Sequence, residues 1–194
     1  MPSPFRRSLP IAGAAAIVTT ALALTETPVS AAPCVRLETH VRAETTEARA
    51  LIEDLIARSP TARALVAGLN GTDVVVYVRH RTFTQTTLDG RIGFVHSTVP
   101  TPRLRYLIVE IACGRSYHTQ LVALGHELRH AAEIAAAPQV VSAQTLATHY
   151  RRIGMRTGLP NAETFETEAA QETSTRVRRE LFDAAATRVT HDRD

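Results

Sequence analysis

Histidines at 126 and 130 flank a glutamate at 127 in the run Gly125-His126-Glu127-Leu128-Arg129-His130, an H-E-x-x-H pattern. On a helix, side chains four residues apart lie one turn apart on the same face, so the two imidazoles can converge on one ion. Two ring nitrogens, each about 2.0–2.1 Å from that ion, suit Zn2+. Glu127, adjacent to the first histidine, reaches a water on the ion without being a ligand itself. The ion brings the pKa of that water toward about 7 and the carboxylate takes its proton, which is the chemistry of hydrolysis. On a solvated helix face the same pattern would be two ordinary surface histidines. Here Val122, Ala123, Leu124, Ala131, Ala132, Ile134 and Ala135 make the helix apolar on most sides, so its polar residues need partners inside the fold.

A catalytic zinc site takes a third protein ligand and keeps one position open. No histidine follows at the short spacing of H-E-x-x-H-x-x-G-x-x-H, because neither Gly nor His occurs in 133–136. Candidates come from the run Phe165-Glu166-Thr167-Glu168-Ala169-Ala170-Gln171-Glu172. Glu166 leads: Phe165 and Ala169-Ala170 mark a packed side, and a small residue one turn on allows close approach to the metal helix. Glu168 is the alternative third ligand, although with Glu172 at i, i+4 it also fits a solvated face. His149 is a further candidate, in an Arg-rich turn beside Arg151 and Arg152. Glu133, three residues after His130, is placed to orient a ligand histidine, with a solvated glutamate as the alternative. Tyr150 or His149 is placed to stabilise an oxyanion. His118, two turns before His126, reads as an ordinary polar residue; His40, His80, His96 and His191 have no partner spacing, and no role is assigned to them.

The elements that must position these residues are legible as hydrophobic periodicity. Residues 36–58 carry Leu37, Val41, Ala48, Leu51, Ile52, Leu55 and Ile56 at helical spacing, ended by Ser59-Pro60, which predicts an amphipathic helix. A short helix over Thr61–Gly68 runs to the Asn70-Gly71 turn. Asp73–Val78 is β-branched and apolar, and reads as a buried strand. Phe83–Thr87 and Ile92–Thr98 flank Asp89-Gly90 as a predicted hairpin. Arg103–Cys113 is the strongest strand pattern. Tyr117–Ala136 is helical, stopped by Pro138; Ser142–Ile153 is a second helix with Ser142 as N-cap and Gly154 at its end. Ala162–Arg188 is predicted as a long final helix. The fold class is therefore α+β: an N-terminal helix, a small and mostly antiparallel sheet, an active-site helix and C-terminal helices.

Composition sets the outer bounds. The chain has 194 residues, one domain's worth, with 44% apolar and 21% charged residues, which excludes wholesale disorder. Zero Trp and 5% aromatics, with a net charge of +3, argue against a nucleic-acid partner. All 22 basic residues are Arg. Residues 1–32 read as a secretion signal: Arg6-Arg7, then the apolar run Ile11–Leu24, then Val29-Ser30-Ala31-Ala32. Arg6-Arg7-Ser8-Leu9 also permits twin-arginine export. That leaves 33–194 as a single domain, secreted or periplasmic. The apolar run is short for a membrane span and no other long one exists, so stable membrane insertion is not expected. In an oxidising compartment Cys34 and Cys113 are expected to form one disulfide, two free thiols being the alternative.

The run GHELRHAAEI followed by FETEAA resembles the zincin metallopeptidase superfamily of the gluzincin type, with Glu as third ligand. More narrowly it resembles small secreted bacterial zincin-like proteins that carry H-E-x-x-H-A-x-E and a later E-T-x-x-A on a C-terminal helix. The resemblance covers about residues 70–182 and implies a minimal zincin core. It implies His126 and His130 as zinc ligands, Glu127 as general base and Glu166 as third ligand. The chain departs from the thermolysin pattern in having no N-E-x-x-S-D after the helix. The expected function is a secreted zinc metallopeptidase acting on a peptide or protein, with a strand within Ile92–Thr98 pairing with extended substrate. The alternative is a non-catalytic exported zinc-binding module acting in partner recognition.

Overall fold

The computed structural model describes residues 39–95, 104–157 and 164–191. Among these are five helices, a four-stranded sheet and a separate two-stranded ribbon. A short strand, β1 (Val41–Ala43), leads through helices α1 (Thr46–Arg58) and α2 (Pro60–Leu69) into β2 (Val74–Arg81). Ser59 is where the two helices join. It ends α1, and its hydroxyl accepts from the Ala62 backbone N–H at 3.0 Å to start α2, with Pro60 at the first position where a missing N–H costs nothing. The strands β3 (Gly90–Phe94) and β4 (Arg105–Ala112) complete the sheet in the order β1-β2-β4-β3.

The sheet is mixed, which corrects the mostly antiparallel expectation. β1 pairs parallel to β2 and β2 parallel to β4; only β3 runs antiparallel, on β4. The physical reason lies in the connection. A helical crossover through α1 and α2 returns the chain in the same direction, so β1 and β2 must run parallel. The hairpin expectation is corrected as well. β3 pairs with β4, with Ile92 opposite Val109 and Phe94 opposite Leu107, while 83–87 form no strand. Apolar pairing of Ile92 and Phe94 with the central strand wins over a local turn back to the polar, Thr-rich flank 83–87.

One sheet face, carrying Val74, Val76, Val78, Leu107, Val109 and Ile111, packs against Leu51, Leu55, Val66 and Leu69 of the first two helices. It packs equally against α3 (Tyr117–Ala135), which brings Leu121, Leu124 and Leu128 into the same core. Gly114, with φ of +80°, makes the turn from β4 toward α3, a conformation open to glycine. Ser116 then caps α3 by accepting from the Thr119 N–H at 3.2 Å. Helix α4 (Ala143–Ile153) is capped by Ser142 with Thr145 in a reciprocal pair, as the sequence suggested for Ser142.

Two further expectations are corrected at the termini of the elements. The first helix begins at Thr46, not near 36, because Thr45 caps it and Val41 pairs with Val76 in the sheet. The last helix, α5 (Glu168–His191), begins six residues later than expected. The ribbon of β5 (Met155–Thr157) and β6 (Thr164–Glu166) precedes it. The signal at 1–32, His96 and Cys34 lie outside the described residues; Cys113 is exposed, one residue past β4. No described helix is long and apolar enough to cross a membrane.

Candidate metal centre

The H-E-x-x-H run occupies the middle of α3, and its position there is set by one missing side chain. A Cβ on Gly125 would stand 2.9 Å from Val177 Cγ2, so only glycine allows α5 to pack directly beside His126. That close approach brings Ser174, one turn before Val177, to the outer edge of the His126 ring. Ser174 Oγ donates to the Ala170 carbonyl at 3.1 Å and accepts from His126 Nδ1 at 2.8 Å. On His130 the same nitrogen donates to Glu133 Oε2 at 2.9 Å. Burial raises the Glu133 carboxyl, but hydrogen bonds from His130 and Thr167 outweigh it and hold the group below the usual carboxylate range.

With both Nδ1 atoms so engaged, the two Nε2 atoms are the ones left to face each other, at 3.1 Å, and in the neutral rings they carry the free lone pairs. Glu166 Oε2 lies 3.0 Å from His126 Nε2. The three donor atoms of His126, His130 and Glu166 all lie within 4.8 Å of one another. A single proton can bridge only one pair of these atoms, whereas one cation can satisfy all three. Two imidazoles and a carboxylate are also the donor set that Zn2+ prefers. The residues fit a metal ion.

Glu127 lies between the two histidines in sequence and is 5% exposed. Its carboxylate packs on β3: a Cβ on Gly90 would stand 3.0 Å from Glu127 Oε1 and 3.1 Å from its Cγ. Burial raises the Glu127 carboxyl above the usual range, against the opposing pull of His130 and His126. His126 is shifted upward too. Its burial works the other way, but the Glu166 hydrogen bond and the charges of Glu127 and Glu166 prevail.

Glu166 joins the site from the end of the ribbon strand β6, not from a helix, so the small-residue spacing reasoned for it does not apply. What permits its approach is Gly154, at the end of α4, where a Cβ would stand 2.9 Å from the Tyr150 carbonyl and 3.0 Å from the Glu166 carbonyl. Sequence reasoning used that glycine only as a helix stop. Glu168 and Glu172, both exposed on the first turns of α5, stand apart from the cluster. Tyr150 is buried with its hydroxyl on the Nδ1 side of His130, 3.1 Å from that nitrogen and 3.3 Å from Glu133 Oε2. It braces the ring from behind instead of facing the converging lone pairs. Burial, reinforced by Glu133, pushes its phenol well above the ordinary range. His149 stacks edge-on beside Tyr150 and lines a small cleft with Arg129 and Glu133, away from the donor atoms.

Two contributors had little sequence signal. Thr167 donates to Glu133 Oε1 at 2.7 Å, and Ser174 orients His126. Both are polar residues on a helix that reads as mostly solvated, and only their distance from α3 in the fold reveals the contact. Searches against protein-family models, curated proteins and solved structures find no match for this chain.

Proposed function

We propose that this protein is an exported zinc-dependent peptidase with a minimal zincin-like core. The observation that carries this reading is the convergence of three donor atoms within 4.8 Å, with the two imidazole rings held at their outer edges by Ser174 and Glu133. His126, His130 and Glu166 would hold the ion. When bound, Zn2+ supplies Lewis acidity and an acidified water at neutral pH.

The rest is done by the chain. Glu127, buried and adjacent to the donor atoms without being one, accepts a proton at its carboxylate and returns it to the leaving amine. Gly90, having no side chain, leaves the space beside β3 that this carboxylate occupies. β3 is an edge strand of the sheet, so an extended peptide can add to it with main-chain hydrogen bonds and arrive beside Glu127. The peptide or protein substrate is thus recognised mainly through its backbone. The exported setting rests on the pattern of residues 1–32.

A non-catalytic zinc-binding module is the second reading. It is favoured by one observation: the Tyr150 hydroxyl is turned to the Nδ1 side, which leaves the oxyanion-stabilising role unassigned. Metal analysis and a mixed-peptide digest separate the readings. The peptidase reading expects one Zn2+ per chain in the wild type, none in His126→Ala, and full metal with no cleavage in Glu127→Gln. Zinc in the wild type with no cleavage of any peptide selects the binding module. Zinc retained in both His126→Ala and His130→Ala would end both readings.

A further inference from the structure

We propose that Glu133 is the positioning residue of this site, one carboxylate that holds His130 and the Glu166-bearing segment side by side. The proposal rests on the metal-site reading above and deepens it. Glu133 is 10% exposed, and both of its oxygens are engaged by groups from different elements. Oε2 accepts from His130 Nδ1 at 2.9 Å and from the Tyr150 hydroxyl at 3.3 Å. Oε1 accepts from the Thr167 hydroxyl at 2.7 Å, with Arg129 Nε further off at 3.7 Å. The contacts therefore join α3, α4 and the residue that links β6 to α5.

Thr167 matters because of what lies on each side of it. Its hydroxyl donates to Glu133 and accepts from the Ala170 N–H at 3.1 Å, so one group both anchors the segment and starts α5. The preceding residue is Glu166. Fixing Thr167 against α3 thereby fixes the backbone from which the third donor extends. Tyr150 ties down the other end of the same segment, being the one buried residue of α4. Without Glu133, a ring nitrogen and a threonine hydroxyl would be left in the interior without their acceptor, and the Tyr150 phenol would keep only the His130 carbonyl at 3.4 Å.

The carboxylate is specifically required. An amide at 133 has a single acceptor oxygen, while the site presents donors to both oxygens. Glu133→Gln can therefore accept from His130 or from Thr167, but not from both. This separates a positioning role from simple packing, since the shapes of Glu and Gln are nearly the same.

The test uses the full chain with Co2+ as the probe, read by its visible absorption, together with imidazole 15N spectra of the metal-free protein. Wild type should bind one Co2+ and show His130 as the Nδ1–H tautomer. Glu133→Gln and Thr167→Val should each weaken Co2+ binding by about 10–100-fold. Their Co2+ spectra should shift toward that of Glu166→Ala, and Thr167→Ser should restore both affinity and spectrum. Thr167→Val should add nothing further in a Glu133→Ala background. Tyr150→Phe gives a second variant that keeps the packing should Thr167→Val fold poorly, and it should weaken binding in the same direction. Wild-type affinity and spectrum in folded Glu133→Gln and Tyr150→Phe would overturn the proposal while leaving the metal site intact. A wild type that binds no Co2+ but keeps the His130 tautomer, lost in Glu133→Gln, would remove the metal and leave the positioning role standing.

Discussion

Arg105, at the first position of β4, is 8% exposed and is the most heavily bonded side chain at the far end of the metal-bearing helix. Its guanidinium makes a two-pronged pair with Asp73, at 2.8 and 2.6 Å. It also donates to the carbonyls of Ile134, Ala137 and Val140 at 2.8, 2.9 and 3.0 Å, and to Ala135 at 3.2 Å. Replacing it with Met keeps most of the stem volume and removes every donor. Ile134 and Ala137 keep second partners, the N–H groups of Ala137 and Val140, so they are not stripped. Val140 and Ala135 lose theirs, at about 1–3 kcal/mol each when the carbonyl is buried. The helix end also loses a favourable positive charge worth about 0.3–1 kcal/mol. Asp73 is 46% exposed and turns to water, so its share is small, about 0–1 kcal/mol. Arg105→Met should therefore cost about 2–8 kcal/mol, toward the lower end because Ala135 is only half-buried. Urea unfolding at neutral pH, followed by circular dichroism with the slope held common, measures it. Arg105→Lys should recover about half, since an ammonium cannot span both the carbonyls and Asp73. A cost below about 1 kcal/mol for Arg105→Met would refute the capping account. An equal loss from Asp73→Asn would move the energy to the ion pair.

Other perturbations follow from close contacts and charges. Glu110 is enclosed by Arg79, Arg81 and Arg91; burial raises its carboxyl, but the three guanidinium hydrogen bonds prevail and hold it at about 2. Its folded value is depressed, so its contribution is full above the unfolded value of 4.5 and is lost as pH falls through that range toward 2. With the arginines 37–48% exposed, the wild type should lose about 1–2 kcal/mol more than Glu110→Gln between pH 6 and pH 3, and parallel urea midpoints would contradict this. Gly90→Ala should keep fold and zinc but reduce peptide cleavage by about tenfold, because its Cβ displaces the Glu127 carboxylate by a few tenths of an ångström; unchanged kcat would show that the carboxylate has room to move. Gly125→Ala should cost about 1–3 kcal/mol by overpacking against Val177, and Val177→Ala in the same chain should return part of it. Strict additivity in thermal unfolding would rule that contact out as the cause.

What the sequence made legible is the part of the fold governed by local period. The core strands β2 and β4 and the helices α2, α3 and α4 are legible because their apolar residues repeat within each element. His126, Glu127, His130 and Glu133 could be grouped for the same reason: all four lie on two turns of one helix. The errors occur where a choice between partners is decided across the chain. Ile92 and Phe94 fit a local hairpin equally well on pattern alone, and only the availability of Val109 and Leu107 on β4 decides against it. Glu166 was reached through its neighbours' apolarity, yet it enters the site from a strand, by way of a glycine twelve residues earlier. Each glycine that shapes the centre acts by lacking a side chain opposite a particular atom. Gly90 faces Glu127, Gly125 faces Val177 and Gly154 faces the Tyr150 and Glu166 carbonyls; in sequence Gly90 reads as a turn, Gly154 as a helix stop and Gly125 only as the residue before His126. The donor atoms are therefore named by a short motif, but their convergence is set by three close approaches that no motif encodes. For a site of this kind, substitutions at the glycines should be as informative as substitutions at the ligands.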